Sequence, residues 1–316
     1  MPEHKRQHWV PQSYLRRFSP DGAHVWLFDK PTARTALADI RTVAQGRYFY
    51  DGFLREAEGQ LPPDVPESVF EREFGKWESA LTEMTAVAQR VAAGGSATLQ
   101  ERQTMAICVA VQLARTRAFR KRFVEGVKGV LEDEANAFLA ERSPDIASKF
   151  RVEITMPPGW DAWIHQFYIW QSGQIPQIAL DLCCYIWRIG VNRGSAPLCT
   201  SDNPVISYLH DAGQPSSPPL HDRKDDVVRE TLIGNRSIRG VELIFPLTPD
   251  VALLMFHPVY FAGMQEFQGR IRDLSEREVL HYNALQLLYS HRQFYASRNV
   301  VESVTSHAGT YTEILA

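Results

Sequence analysis

His8 and Gln12 lie four residues apart near the N-terminus, and His4 stands four residues before His8. Imidazole changes charge close to neutral pH, so His8 is a candidate general acid or base, with Gln12 as a candidate substrate-positioning amide. On one continuous helix His4 and His8 would share a face and could bind a metal ion. Pro11 favours extended backbone just before it, which spoils that geometry. No Glu follows His4, so the His-Glu-x-x-His pattern of zinc proteases is missing. The plainer reading of His8 is a core imidazole whose nitrogens are satisfied internally.

A second polar group is Ser201-Asp202-Asn203-Pro204. At the end of a buried strand, Asp202 could orient His8, act as a base, or hold a divalent ion with help from Asp29, Glu242 or Asp250. Ser201 and Asn203 would then contact substrate. Against this, Asp and Asn before Pro are ordinary turn formers that bond their own backbone. The third group is Arg115, Arg117, Arg120, Lys121 and Arg122. At about 100° per residue, Arg115 and Arg122 fall on one side of a helix and Arg117, Arg120 and Lys121 on another. A solvated face accounts for most of this. The sharper alternative is that Arg115 or Arg117 clamps a phosphate or carboxylate. The acidic residues Glu125, Glu132, Asp133 and Glu134 follow closely and weigh against a nucleic-acid groove.

The elements that must carry these residues follow from spacing. Tyr14, Leu15 and Phe18 recur at helical intervals after Pro11, and His24 to Asp29 reads as a strand. Arg47 to Tyr50 is a further extended piece, and Leu61 to Pro66 is a proline-rich break. Phe70, Phe74, Trp77, Leu81, Met84, Ala88 and Val91 then form one apolar stripe of a helix ended by Gly94-Gly95. Thr98 and Glu101 make a capping box for a helix expected to run to about Glu141, broken at Gly126 or Gly129. Two helices joined by so short a turn predict an antiparallel pair.

The aromatic stretch from Trp160 to Trp187 predicts helix buried on most sides, interrupted near Gly173 or Pro176. Residues 196–208 read as strand, turn, strand, and His210 to Arg239 as a long polar excursion. Val241 to Leu247 and Val251 to Phe256, joined by Thr248-Pro249-Asp250, predict a hairpin. Ser275 and Glu278 form a second capping box for a last helix expected to reach about Ser297, with Asn283 on its course.

Composition narrows the field. With 34 basic against 37 acidic residues in 316, the chain has no overall field to hold nucleic acid or an anionic membrane. No run of about 18 apolar residues occurs, and no apolar segment follows the charged N-terminus, so neither membrane insertion nor secretion is expected. The four cysteines lack Cys-x-x-Cys spacing and read as buried thiols in a reducing, cytoplasmic setting. Gly-x-x-x-x-Gly-Lys, Gly-x-Gly-x-x-Gly and Gly-x-Ser-x-Gly are all missing, which removes the basis for kinase, Rossmann dehydrogenase and α/β-hydrolase readings.

The segments His8-Trp9-Val10-Pro11-Gln12 with Tyr14, Leu15 and Phe18, Thr200-Ser201-Asp202-Asn203-Pro204, and Phe245-Pro246-Leu247-Thr248-Pro249 together resemble the DUF4238 family. This is a widespread, mostly bacterial group whose name records no assigned function. The family typically opens His-Tyr-Val/Ile-Pro-Gln-Phe-Tyr-Leu; Trp9 and Ser13 differ from it here. Arg115-Thr116-Arg117 resembles a family Arg-Thr-Pro stretch, with Arg117 at the proline position. The resemblance supplies candidate residues and no reaction.

The expected fold is α+β in a single elaborated domain. A small mixed or antiparallel sheet, with strand segments in about 8–55 and 196–300, packs on the long helices of about 62–190. The leading functional expectation is a hydrolase of a phosphate-containing substrate, a nuclease or phosphodiesterase. His8 and Asp202 would be catalytic, with Asp202 either orienting His8 or holding a divalent metal if one is used, and Gln12, Arg115, Arg117, Ser201 and Asn203 would bind substrate. The alternative is a non-catalytic binding, interaction or sensor protein in which the same polar residues are structural. A small phosphate-containing molecule or nucleic acid would be the partner.

Overall fold

The computed structural model describes residues 6–50, 69–210 and 240–315. The chain is α+β: helices pack on small mixed and antiparallel sheets. Among the described residues three sheets form where one was expected. A two-stranded ribbon pairs β1 (Arg6–His8) with β4 (Gln45–Arg47). A four-stranded antiparallel sheet runs β3 (Arg34–Asp39), β2 (His24–Asp29), β11 (Gln293–Ala296), β6 (Thr200–Ser201). The five-stranded sheet runs β10 (Ile271–Leu274), β5 (Ile186–Asn192), β9 (Val251–Phe256), β8 (Gly240–Thr248), β7 (Ile206–His210). Only its β10–β5 pair is parallel.

The hairpin β8–β9 is nearly all apolar because both faces of its sheet are covered. Side chains alternate across the pleat, so Leu243, Phe245, Leu247, Val251, Leu253 and Met255 join one core while Ile244, Ala252, Leu254 and Phe256 join another. The first core holds α1 (Gln12–Leu15), α2 (Val69–Ala92), α3 (Leu99–Ala114), the start of α4 (Arg117–Arg142), α6 (Trp160–Trp170) and α7 (Gln174–Cys183). The short α5 covers Pro144–Ala147. On the other face α8 (Glu276–Tyr289) puts Val279, Tyr282 and Leu285 against the sheet, and turns Ala284 and Leu287 toward β11 and α9 (Val301–Leu315).

Both capping boxes form as the sequence indicates, at Thr98/Glu101 and Ser275/Glu278. Five expectations change. The helix after Thr98 breaks at Arg115-Thr116, not at Gly126 or Gly129, because Thr116 caps a new helix by accepting from Phe119 N at 3.1 Å. The last motif-bearing helix stops at Tyr289, and Gln293–Ala296 is a strand, drawn into the sheet by β2. The aromatic stretch is helical only to Cys183; Ile186 and Trp187 open β5. Its helix α6 also exposes Trp160, Trp163 and Phe167, roughly half-open to solvent, where burial on most sides was expected. Cys108 and Cys199 are buried, but Cys183 and Cys184 are exposed, and all four are free thiols. His4, the break at 61–66 and the polar excursion beyond His210 lie outside the described residues. No described helix is long and apolar enough to cross a membrane.

Candidate functional site

Tyr14 shows how the distant motif segments come together. Its ring is fully buried, stacked on Phe245, and its hydroxyl donates to Pro246 O at 2.6 Å while pairing with Thr200 Oγ1 at 2.7 Å. One phenol thus joins the N-terminal helix, the 200–204 turn and strand β8. Pro246 sits where the β8–β9 register slips, a place where a strand tolerates a residue without an N–H. Its carbonyl oxygen accepts from Tyr14.

Asp202 is 1% exposed and accepts three backbone N–H bonds, from His291 at 2.8 Å, Arg292 at 2.9 Å and Gln293 at 3.0 Å. Burial pushes its carboxyl up to about 6, against the opposing pull of those three amides. The carboxylate staples the chain that enters β11. Ser201 Oγ donates to Gln286 Oε1 at 2.8 Å and accepts from Asn203 N at 3.2 Å. Asn203 Oδ1 accepts from Thr116 Oγ1 at 3.3 Å, and its Nδ2 donates to Tyr289 O at 3.2 Å. From α8, Asn283 accepts from Cys199 N and donates to Pro197 O, and Gln286 donates to Pro204 O. The turn is bound on every side by protein groups, as buried polar atoms require.

His8 is 8% exposed and does not bond Asp202. Burial, helped by the Arg115 and Arg6 charges, holds its ring down at about 4 despite a bond to the Arg41 backbone, so it is neutral at pH 7. Its Nε2 has no hydrogen-bond partner. Arg115 is also internal, 2% exposed, with its guanidinium 4.4 Å from the centre of the Phe74 ring. It donates to His8 O at 2.7 Å, Glu78 Oε1 at 3.3 Å and Tyr50 Oη at 3.3 Å. Gln12 stays half-buried on α1, where its Oε1 accepts from Arg16 at 3.4 Å.

The basic run divides differently from its helical-wheel pattern. Arg120 turns inward, donating to His165 Nδ1 at 3.0 Å and Phe49 O at 2.5 Å. His165 in turn bonds Ala114 O at 2.6 Å, and burial and the Arg120 charge keep it neutral against the opposing pull of that bond. Arg117 and Lys121 remain exposed. Arg117, at the first position of α4 where proline is also tolerated, lies 6.0 Å from the centre of the Trp9 ring.

The carboxylates considered as partners of Asp202 are engaged elsewhere or remote from it. Asp29 pairs with Arg292 and accepts from Thr32 at 2.6 Å. Glu242 bonds His210 at 2.8 Å and Tyr282 at 2.9 Å, and Asp250 is exposed in the β8–β9 turn. Among the described residues, no group of three or more His, Cys, Asp and Glu could hold a metal ion.

The histidine adjoining Asp202 is His291, through its backbone amide. Sequence reasoning missed it because the residue was expected inside a helix and carries no motif of its own. Its ring is half-buried, and burial with Arg117, Lys121, Lys30 and Arg292 nearby lowers its pKa to about 4.

No curated protein and no solved structure matches this chain. The motif residues that converge around Tyr14 and Asp202 all fall within residues 6–299, the span matched by the family model described as "Protein of unknown function (DUF4238)", and the chain belongs to that family.

Proposed function

We propose that this chain is a binding or interaction protein in which the polar residues of the motifs build the scaffold. The observation that carries this reading is the state of Asp202: both oxygens are occupied by three backbone amides, with 1% of the residue open to solvent. With three of its roughly four acceptor sites taken by amides and the residue closed to solvent, this carboxylate is better suited to holding the chain than to meeting a metal or a substrate proton. Arg115, Ser201 and Asn203 are committed to internal partners in the same way. Four free thiols, two of them exposed, support a reducing, cytoplasmic location.

One observation favours a second reading, a hydrolase of a phosphate-containing substrate. His8 Nε2 is unpartnered and its ring is neutral at pH 7, as a general base requires. The two readings separate in one assay of nuclease and nucleotide hydrolysis with Mg²⁺, Mn²⁺ or chelator, using wild type, His8→Gln and Asp202→Asn. The binding reading expects no turnover above buffer. Metal-stimulated turnover that disappears in a folded His8→Gln variant would overturn it and establish the hydrolase.

A further inference from the structure

Arg102 stands on the buried stripe of α3. Met105, Ala106 and Val109 follow it at helical spacing, and all three are closed to solvent. Arg102 therefore starts on the face that α3 turns to the core. Along that face a small cleft opens at the surface, walled by Val87 and Val91 of α2, Ala97 of the α2–α3 link, Met105 of α3, and Trp187 and Ile189 of β5. Arg102 lines the same cleft.

We infer that this cleft is a binding site for a small monocarboxylate with a short apolar body, its carboxylate on Arg102 and its body against Val91, Met105 and Trp187. An arginine beside apolar surface ordinarily lays its stem on that surface and extends its head into water. Arg102 departs from this pattern, because its Nε is sealed from solvent and has no hydrogen-bond partner. Its side chain makes no hydrogen bond or ion pair with any described residue. Glu101, the acid next to it in sequence, is committed to Arg90 at 2.7 Å and to the Thr98 amide at 2.8 Å. A guanidinium carries donors only, so what the protein leaves unmet here is an acceptor with negative charge. A carboxylate supplies two oxygens that match the planar fork.

The walls define the rest of the ligand. The Trp187 indole N–H already donates to Leu182 O at 2.8 Å, so the ring offers the cleft apolar surface alone. Arg188 also borders the cleft but is not a second anchor. Trp187 and Ile189 join the first core and Ile186 the second, so the pleat turns Arg188 to the far face. There its guanidinium donates to Ile271 O at 2.9 Å and lies 5.0 Å from the centre of the Phe267 ring. One cation on apolar walls selects one negative charge on an apolar body; a phosphate would leave the walls unused. None of the motif residues lines the cleft, so this site goes beyond the reading proposed above and stands or falls independently of it.

The test is ligand-observed saturation-transfer NMR on the full chain, titrating acetate, butyrate and, as a cation of equal length, butylamine. Wild type is compared with Arg102→Gln, with Ala97→Leu to fill the cleft, and with the exposed control Arg142→Gln. The Arg102 side chain bonds no protein group and Ala97 is half-buried in a link, so these variants keep the fold, as far-UV circular dichroism should verify. Saturable butyrate binding is expected, tighter than acetate by about 4-fold per methylene. Arg102→Gln should weaken it about 10- to 100-fold, the range for losing a charge-assisted contact, and Arg142→Gln should leave it unchanged. Ala97→Leu should remove the gain from acetate to butyrate. Absence of saturable butyrate binding, equal binding of butylamine, or indifference to Arg102→Gln overturns the site. A chain-length gain that survives Ala97→Leu overturns the placement of the apolar body in the cleft. Displacement of butyrate by an equal concentration of inorganic phosphate overturns the ligand class.

Discussion

Replacing Tyr14 by Phe deletes one oxygen, and its partners set the cost. The hydroxyl donates to Pro246 O at 2.6 Å and accepts from Thr200 Oγ1 at 2.7 Å, inside a side chain with no exposed surface. The ring itself stays, stacked on Phe245 with its centroid 5.5 Å away, so packing is nearly unchanged. The substitution leaves one acceptor and one donor buried without partners, at about 1–3 kcal/mol each. Relief from burying the phenolic hydroxyl offsets part of this, and the net loss comes to about 2–4 kcal/mol. Thr200→Val alone should cost about 1 kcal/mol, since Tyr14 can still donate to Pro246. In the double variant the orphaned threonine is gone, so the two changes should couple by about 1 kcal/mol or more. The assay is urea unfolding followed by tryptophan fluorescence and far-UV circular dichroism, valid where the two transitions coincide and the m-value is unchanged. A Tyr14→Phe loss below about 1 kcal/mol, with single and double variants additive to about 0.3 kcal/mol, would refute the claim that this hydroxyl joins the three motif segments energetically.

The His8 ring provides a pH test: its folded-state pKa is about 4 against an ordinary 6.5, so the unfolded chain takes up a proton that the folded chain refuses. The stability this contributes is complete above about pH 6.5 and lost as pH falls through 4, about 2–3 kcal/mol between pH 7.5 and 4.5. His8→Gln should lose stability less steeply over that interval, and parallel curves for the two proteins would exclude His8 as a cause. Asp202→Asn should speed hydrogen exchange at the amides of His291, Arg292 and Gln293, read by mass spectrometry, because a side-chain amide cannot accept all three bonds. Unchanged protection there would show that the carboxylate does not hold the loop. Native protein should react with Ellman's reagent at Cys183 and Cys184, with Cys108 and Cys199 appearing only on unfolding; labelling of all four at one rate would contradict their burial.

Some features could be read from the chain because their causes are local. Thr98 with Glu101 and Ser275 with Glu278 start helices where they stand, since each box is closed by residues three apart. The hairpin at 241–256 follows from two apolar runs around Thr248-Pro249-Asp250. Arg117 and Lys121 were visible as cations on a helix. Which basic side chains turn inward was not visible: Arg120 rather than Arg117 finds His165 and Phe49, from segments 45 and 71 residues away.

By itself, then, the sequence determined the α+β class, the helix starts, the hairpin and the family, because each depends on short-range pattern or motif order. Only the tertiary structure decided that 24–29 and 241–256 belong to different sheets, that Gln293–Ala296 pairs as a strand, and that Asp202 bonds the amides of His291, Arg292 and Gln293 in place of His8. The physical reason is that a buried carboxylate or imidazole takes whatever donors its burial brings near. For Asp202 these are amides about ninety residues downstream, a distance at which no spacing rule in the sequence operates.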